Sequence, residues 1–122
     1  MESSTNTASR WPWPDSLDAV HAAPGSHRVL FENEHARVLE VTIAPGVREP
    51  EHTHRWPSIM VVHQQARIRY YTGEALTYTS PEHPSPTEAG PRAGWLETEG
   101  PHSVENIDDR SYGAFRIELK QP

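Results

Sequence analysis

The sequence predicts an all-β sandwich or barrel, and three observations carry that prediction. Between residues 27 and 120, short apolar or alternating runs follow one another. Turn-forming residues separate the runs, and 12 prolines in 122 residues suit short strands and turns better than helices. The clearest run, residues 37–43, alternates with Leu39, Val41 and Ile43 on one face, as a strand with one buried face does.

The elements follow in order. Residues 1–10 are polar and are expected to be disordered. Trp11-Pro12-Trp13-Pro14 is extended, and its two indoles are costly to leave in water. It is expected to cover an apolar outer face of the barrel or of a neighbouring subunit. Residues 15–22 read as a short helix with Asp15 as its N-cap, ended by Pro24-Gly25. Strands are predicted at 28–31, 37–43, around His52, 58–63, 66–72, 76–79, 94–97, 102–107 and 111–120. The run at 58–63 is apolar on both faces, as inside a closed or double sheet. The last strand is expected to turn Phe115, Ile117 and Leu119 to the core. Residues 81–93, rich in Pro, Glu and Gly, read as an exposed loop.

Composition excludes several classes. The formal net charge is -6, and the basic residues are scattered arginines with one lysine, which argues against a nucleic-acid surface. There is no cysteine, so neither a disulfide framework nor a thiolate metal site is available. No apolar run approaches a membrane span, and the first residues are unlike a signal peptide. A cytoplasmic protein without a membrane partner is the expectation.

The histidines carry the chemistry. In His52-Thr53-His54, an extended backbone turns both imidazoles to one side. Neighbouring neutral imidazoles suit a transition metal. His102 lies in a second Gly/Pro-flanked segment, Gly100-Pro101-His102. Alone, His-x-His is more often a pair of partly exposed side chains than a site. The Gly46 turn before it and the apolar strand after it favour the site. His21, His27, His35 and His83 read as surface residues, and His63 as a rim residue.

These two stretches resemble the two sequence motifs of the cupin superfamily. Gly46, His52 and His54 match the first, but Ser58 stands where a glutamate is expected and Gln65 where a closing glycine is expected. His102 and Asn106 match the second, in which Glu97 and Glu99 replace the usual Pro and Gly. The resemblance implies a double-stranded β-helix, or jelly-roll barrel, over residues 28–120, with residues 1–27 as an N-terminal extension. It also implies a homodimer and a metal held by His52, His54 and His102. Imidazole ligands suit Fe(II), Zn, Cu, Ni or Mn, taken here in that order. Without the glutamate the site resembles the three-histidine cupins, among which thiol and diketone dioxygenases are known. Glu51, Glu97 or Glu99 could still supply a carboxylate, although strand alternation points Glu51 outward.

Three functions follow. The first is a dioxygenase acting on a small organic substrate. The second is a hydrolase, isomerase or lyase using Zn or Mn as Lewis acid. The third is a non-catalytic small-molecule-binding module. Fold does not choose among them. Ser58, Met60, Trp56, Tyr70 and Trp95 are the expected pocket residues, with Val62, Tyr71 and Tyr78 as further lumen candidates. Asn106 is expected to bond backbone in a turn. Protons compete with a metal for imidazole, so affinity is expected to fall below pH ~6.5.

Overall fold

The computed structural model describes residues 11–81 and 92–120. The expected disorder at 1–10, nearly all of the expected loop at 81–93, and His83 lie outside them. A 3-10 turn, Asp15–Leu17, leads into α1, Ala19–Ala22. The N-cap of α1 is Asp18 rather than the expected Asp15, its carboxylate accepting from Val20 N–H at 3.2 Å. Arg37 holds that carboxylate with two bonds of 2.9 and 3.0 Å, which fixes where the helix begins.

Among the described residues nine strands follow: β1 His27–Glu32, β2 Ala36–Ile43, β3 His52–His54, β4 Ser58–Gln64, β5 Ile68–Thr72, β6 Ala75–Thr79, β7 Arg92–Leu96, β8 Glu99–Asn106 and β9 Tyr112–Leu119. They form a five-stranded sheet, β1-β2-β9-β4-β7, and a four-stranded sheet, β3-β8-β5-β6. Every strand pair is antiparallel. Leu39, Val41 and Ile43 face inward from β2, as the alternation predicts. Val41, Ile43, Val104 and Ala114 form the apolar core, with Met60, Val62, Ile68, Tyr70 and Tyr112 packed against it.

The last strand departs from expectation. Gly113, Ala114, Arg116 and Glu118 are its buried residues, while Phe115, Ile117 and Leu119 are only half-buried. Hydrophobicity misleads here because the interior is polar at this level: Arg116 and Glu118 meet charged and imidazole partners inside. The apolar set instead lies on the outer face. There, cross-strand pairing aligns Phe31, Val38, Ile117, Ile59 and Trp95 in one row across all five strands. Phe31 and Trp95, at its two ends, are each 54% exposed.

The two sequence motifs meet in space. Gly46 adopts φ +79, a left-handed turn that favours glycine, and its N–H donates to Asn106 O at 3.0 Å. Asn106 Nδ2 donates to Ile43 O and Arg110 O, both at 2.8 Å, and its Oδ1 accepts from Asp108 N–H. This fully paired amide fastens the turn before β3 to the end of β8. The N-terminal segment also packs on the barrel: Asp18 bridges to Thr53, and the Trp13 indole lies against Gly100. Coverage by this segment explains why Thr53 is buried although its neighbours on β3 face the lumen.

Candidate metal centre

Four imidazoles converge between the sheets. His52 and His54 come from β3, and His102 lies opposite His52 on β8. Their ring centroids lie 5.1 Å apart for His52–His54, 4.5 Å for His52–His102 and 5.5 Å for His54–His102. The fourth is His27, expected at the surface but buried, with its ring 4.7 Å from His52 and 5.3 Å from His54. It opens β1 opposite inward-facing Val41, and that pairing aims it into the lumen. His27, His52 and His54 present ligand atoms within 4.8 Å of one another, and so do His54, Glu99 and His102.

The donor set fits a transition metal. His52 Nδ1 lies 2.8 Å from Pro50 O and His102 Nδ1 lies 2.7 Å from Gly100 O. A carbonyl only accepts, so both Nδ1 atoms carry the proton and both Nε2 atoms keep a lone pair. His27 Nδ1 meets Ala23 O at 3.2 Å, and His54 Nδ1 meets Glu118 Oε2 at 3.0 Å. All four rings are thus fixed as the same tautomer by an acceptor behind them, the usual support of a metal-bound histidine. Burial above all, with the charges of neighbouring histidines and Arg116, lowers His27, His52 and His54 and favours their neutral form. His27 is pushed down to about 4, His52 to about 3, and His54 well below the usual value.

Three carboxylates surround the rings. Glu49 Oε1 lies 3.5 Å from His52 Nε2, and its Oε2 accepts from Ser26 Oγ at 2.7 Å. Burial pushes Glu49 up to about 7. Glu99 Oε1 lies 4.0 Å from His102 Nε2, and Tyr70 donates to Glu99 Oε2 at 2.5 Å. Glu118 joins His54 to Arg37, whose Nε donates to it at 2.5 Å. Burial raises Glu118, and Arg37 opposes the rise. Of the acids considered from sequence, Glu51 and Glu97 are exposed and Glu99 reaches the site. Glu49 was not legible, because Pro50 interrupts the alternation that would relate it to His52.

A cavity of about 440 Å³ extends from the imidazoles. Val41, Ile43, Met60, Val62 and Ile68 line its walls, with Arg116 beside the histidines and Tyr78 among the exposed lining residues. Of the expected pocket residues, Met60 and Tyr70 line it, and Tyr70 stacks on His102 at 5.3 Å. Ser58, Trp56 and Trp95 do not. Ser58 is fully buried and accepts from Arg116 Nε at 2.9 Å. Trp56 sits among Arg37, Arg55 and Lys120, and Trp95 lies on the outer face, donating to Glu97. Tyr71 instead packs under Arg48 and donates to Glu105. His63 lies tilted against Phe115 at the surface, and His21 and His35 are exposed.

Two antiparallel sheets closing over a histidine cluster are the architecture of a cupin, and solved structures bear this out. A cupin domain from Bordetella pertussis Tohama I superposes with a TM-score of 0.62 at 21% identity, covering 78% of this chain and 92% of that one. An RmlC-like cupin with a double-stranded β-helix fold from Methanocaldococcus jannaschii gives 0.54 at 11% identity, covering 76% and 77%. The polyketide cyclase RemF from Streptomyces resistomycificus gives 0.54 at 15% identity, covering 85% and 72%. No protein-family profile and no curated protein matches the chain. The fold is that of the cupins, with a histidine cluster that could hold a metal ion. Among the described residues, no helix is long and apolar enough to cross a membrane.

Proposed function

We propose that the protein is a mononuclear metal enzyme acting on a small organic substrate. The observation that carries this reading is the set of buried imidazoles, all held with Nδ1 protonated, at one end of an apolar cavity. His52, His54 and His102 are the expected ligands, and His27 is placed to be a fourth. A divalent ion there would supply Lewis acidity and, if iron, the means to use oxygen. The chain's own residues do the rest. Glu118 and the carbonyls of Ala23, Pro50 and Gly100 orient the rings, the apolar walls exclude water, and Glu49 can hold a proton beside His52.

The first chemistry is a dioxygenase with Fe(II). A second, Lewis-acid chemistry with Zn or Mn is supported by the imidazole-rich cluster and by likeness to a cyclase. Elemental analysis of the purified protein, beside His52→Ala, tests the site. One equivalent of metal lost in the variant supports it; no metal even after reconstitution leaves the non-catalytic binding module. Oxygen consumption then separates the two chemistries, because only the dioxygenase stops under anaerobic conditions.

We also infer a homodimer through the outer face of the five-stranded sheet. The row of Phe31, Val38, Ile117, Ile59 and Trp95 crosses all five strands and supplies the apolar contact such a pairing would use. A two-fold axis along β9 would set Phe31 against the partner subunit's Trp95 and Ile117 against its own copy.

A further inference from the structure

One buried charge in the site lacks a full set of partners. Arg116 is 3% exposed and lines the cavity beside the histidines. Its Nε donates to Ser58 Oγ at 2.9 Å, and its Nη1 lies 2.9 Å from Glu99 Oε1. Its Nη2 is buried and meets no acceptor among the described residues. A buried, charged donor left unpaired is costly, so such an atom in a native fold calls for an occupant. Glu99 faces Nη1, and its other oxygen accepts from Tyr70, so it leaves Nη2 without an acceptor. Ser58 explains how Arg116 fits. It stands on β4 where the first motif carries a glutamate, and its small side chain leaves room for the guanidinium from neighbouring β9.

We infer that Arg116 is a specificity-determining residue whose free Nη2 donor receives an anionic oxygen of the substrate. The substrate is therefore an amphiphile, with a carboxylate or enolate head beside the histidines and an apolar body in the cavity. This rests on the metal-enzyme reading for the position of the head group, though not for the Arg116 contact itself. Val41, Ile43, Met60, Val62 and Ile68 give the body an apolar wall, while Gln65, Tyr78, Ser80 and Arg92 also line the cavity. A cavity of about 440 Å³ admits a small organic molecule and no polymer. A charge-assisted bond to a buried guanidinium favours the anion over a neutral analogue of equal length.

The test is calorimetric titration with octanoate and with octan-1-ol, in metal-free and zinc-loaded protein. Octanoate is expected to bind at least tenfold more tightly than octan-1-ol. Arg116→Met is expected to abolish that preference, and Arg116→Lys to keep part of it. Equal affinities in the wild type, binding of neither probe at millimolar concentration, or an unchanged preference in Arg116→Met would overturn the inference. The wild-type comparison stands without any variant. Arg116→Met combined with Glu99→Gln avoids stranding a buried carboxylate if the single variant does not fold. Zinc content of the same samples separates the two readings. Zinc bound without octanoate preference sinks the role of Arg116 alone; octanoate preference without zinc sinks the metal centre alone.

Discussion

His54 donates its Nδ1–H to Glu118 at 3.0 Å, and Glu118 receives Arg37 on its other oxygen. The imidazole is thereby held from behind by a carboxylate that is itself anchored. Glu118→Gln preserves shape but removes the charge that both neighbours use. Metal affinity is expected to fall about 10-fold or more. Stability is expected to fall by about 3 kcal/mol, because Arg37 loses the buried one of its two acids. Chelator competition and thermal unfolding measure the two effects separately. Unchanged affinity would mean that Glu118 serves Arg37 alone.

His27 offers a direct test of a fourth ligand. His27→Ala is expected to weaken metal binding about 10-fold or more, as loss of a ligand should, while His21→Ala, at an exposed position on α1, leaves it unchanged. Equal metal affinity in wild type and His27→Ala would reduce His27 to a packing residue.

Acid should destabilise the metal-free protein. His27 and His52 titrate at about 4 and 3 in the fold, below the unfolded value of 6.5. As pH falls below 6.5 the unfolded chain takes up protons that the folded chain refuses. Each ring then contributes a loss of up to about 1.4 kcal/mol per pH unit, until its folded value is reached. Glu49 acts oppositely: its folded value of about 7 stands above 4.5, so its contribution is lost as pH rises between them. The histidines outnumber it, and the melting temperature should fall from pH 6.5 to 4.5. Burial also moves the proton competition that His27, His52 and His54 offer a metal below the 6.5 expected of free histidine. A melting temperature that rises on acidification would contradict these burial effects.

The outer apolar row predicts an oligomeric state. Ile117→Glu places a charge at its centre, opposite the inward residues, and should convert the dimer to a monomer without altering metal content. Light scattering after size exclusion reads this directly. A wild type that is monomeric at micromolar concentration would remove the inferred interface.

Much of the fold was legible because turns and alternation are local. Leu39, Val41 and Ile43 fell on the core face for that reason, and Asn106 took its turn-bonding role. β9 failed because alternation gives two faces without saying which is inside. Hydrophobicity normally decides, but here Arg116 and Glu118 find partners within and the apolar set turns outward. His52, His54 and His102 were visible through motif spacing. His27 was not, since only its pairing with Val41 reveals its direction, and pairing register is a long-range property. Trp56 and Trp95 looked like pocket walls because they neighbour the motifs in sequence, yet Trp56 lies in the bend between β3 and β4 and Trp95 pairs with Ile59 on the outer face.

The four imidazoles are divided between the sheets: His27 belongs to the five-stranded sheet, and His52, His54 and His102 to the four-stranded one. An ion gripping all four would rivet the two layers together across the lumen. Neither layer could then slide or separate independently of the other. Amide exchange in β2 and β8, which lie in different layers, would slow in step on metal addition, and the barrel would open as a single unit or not at all.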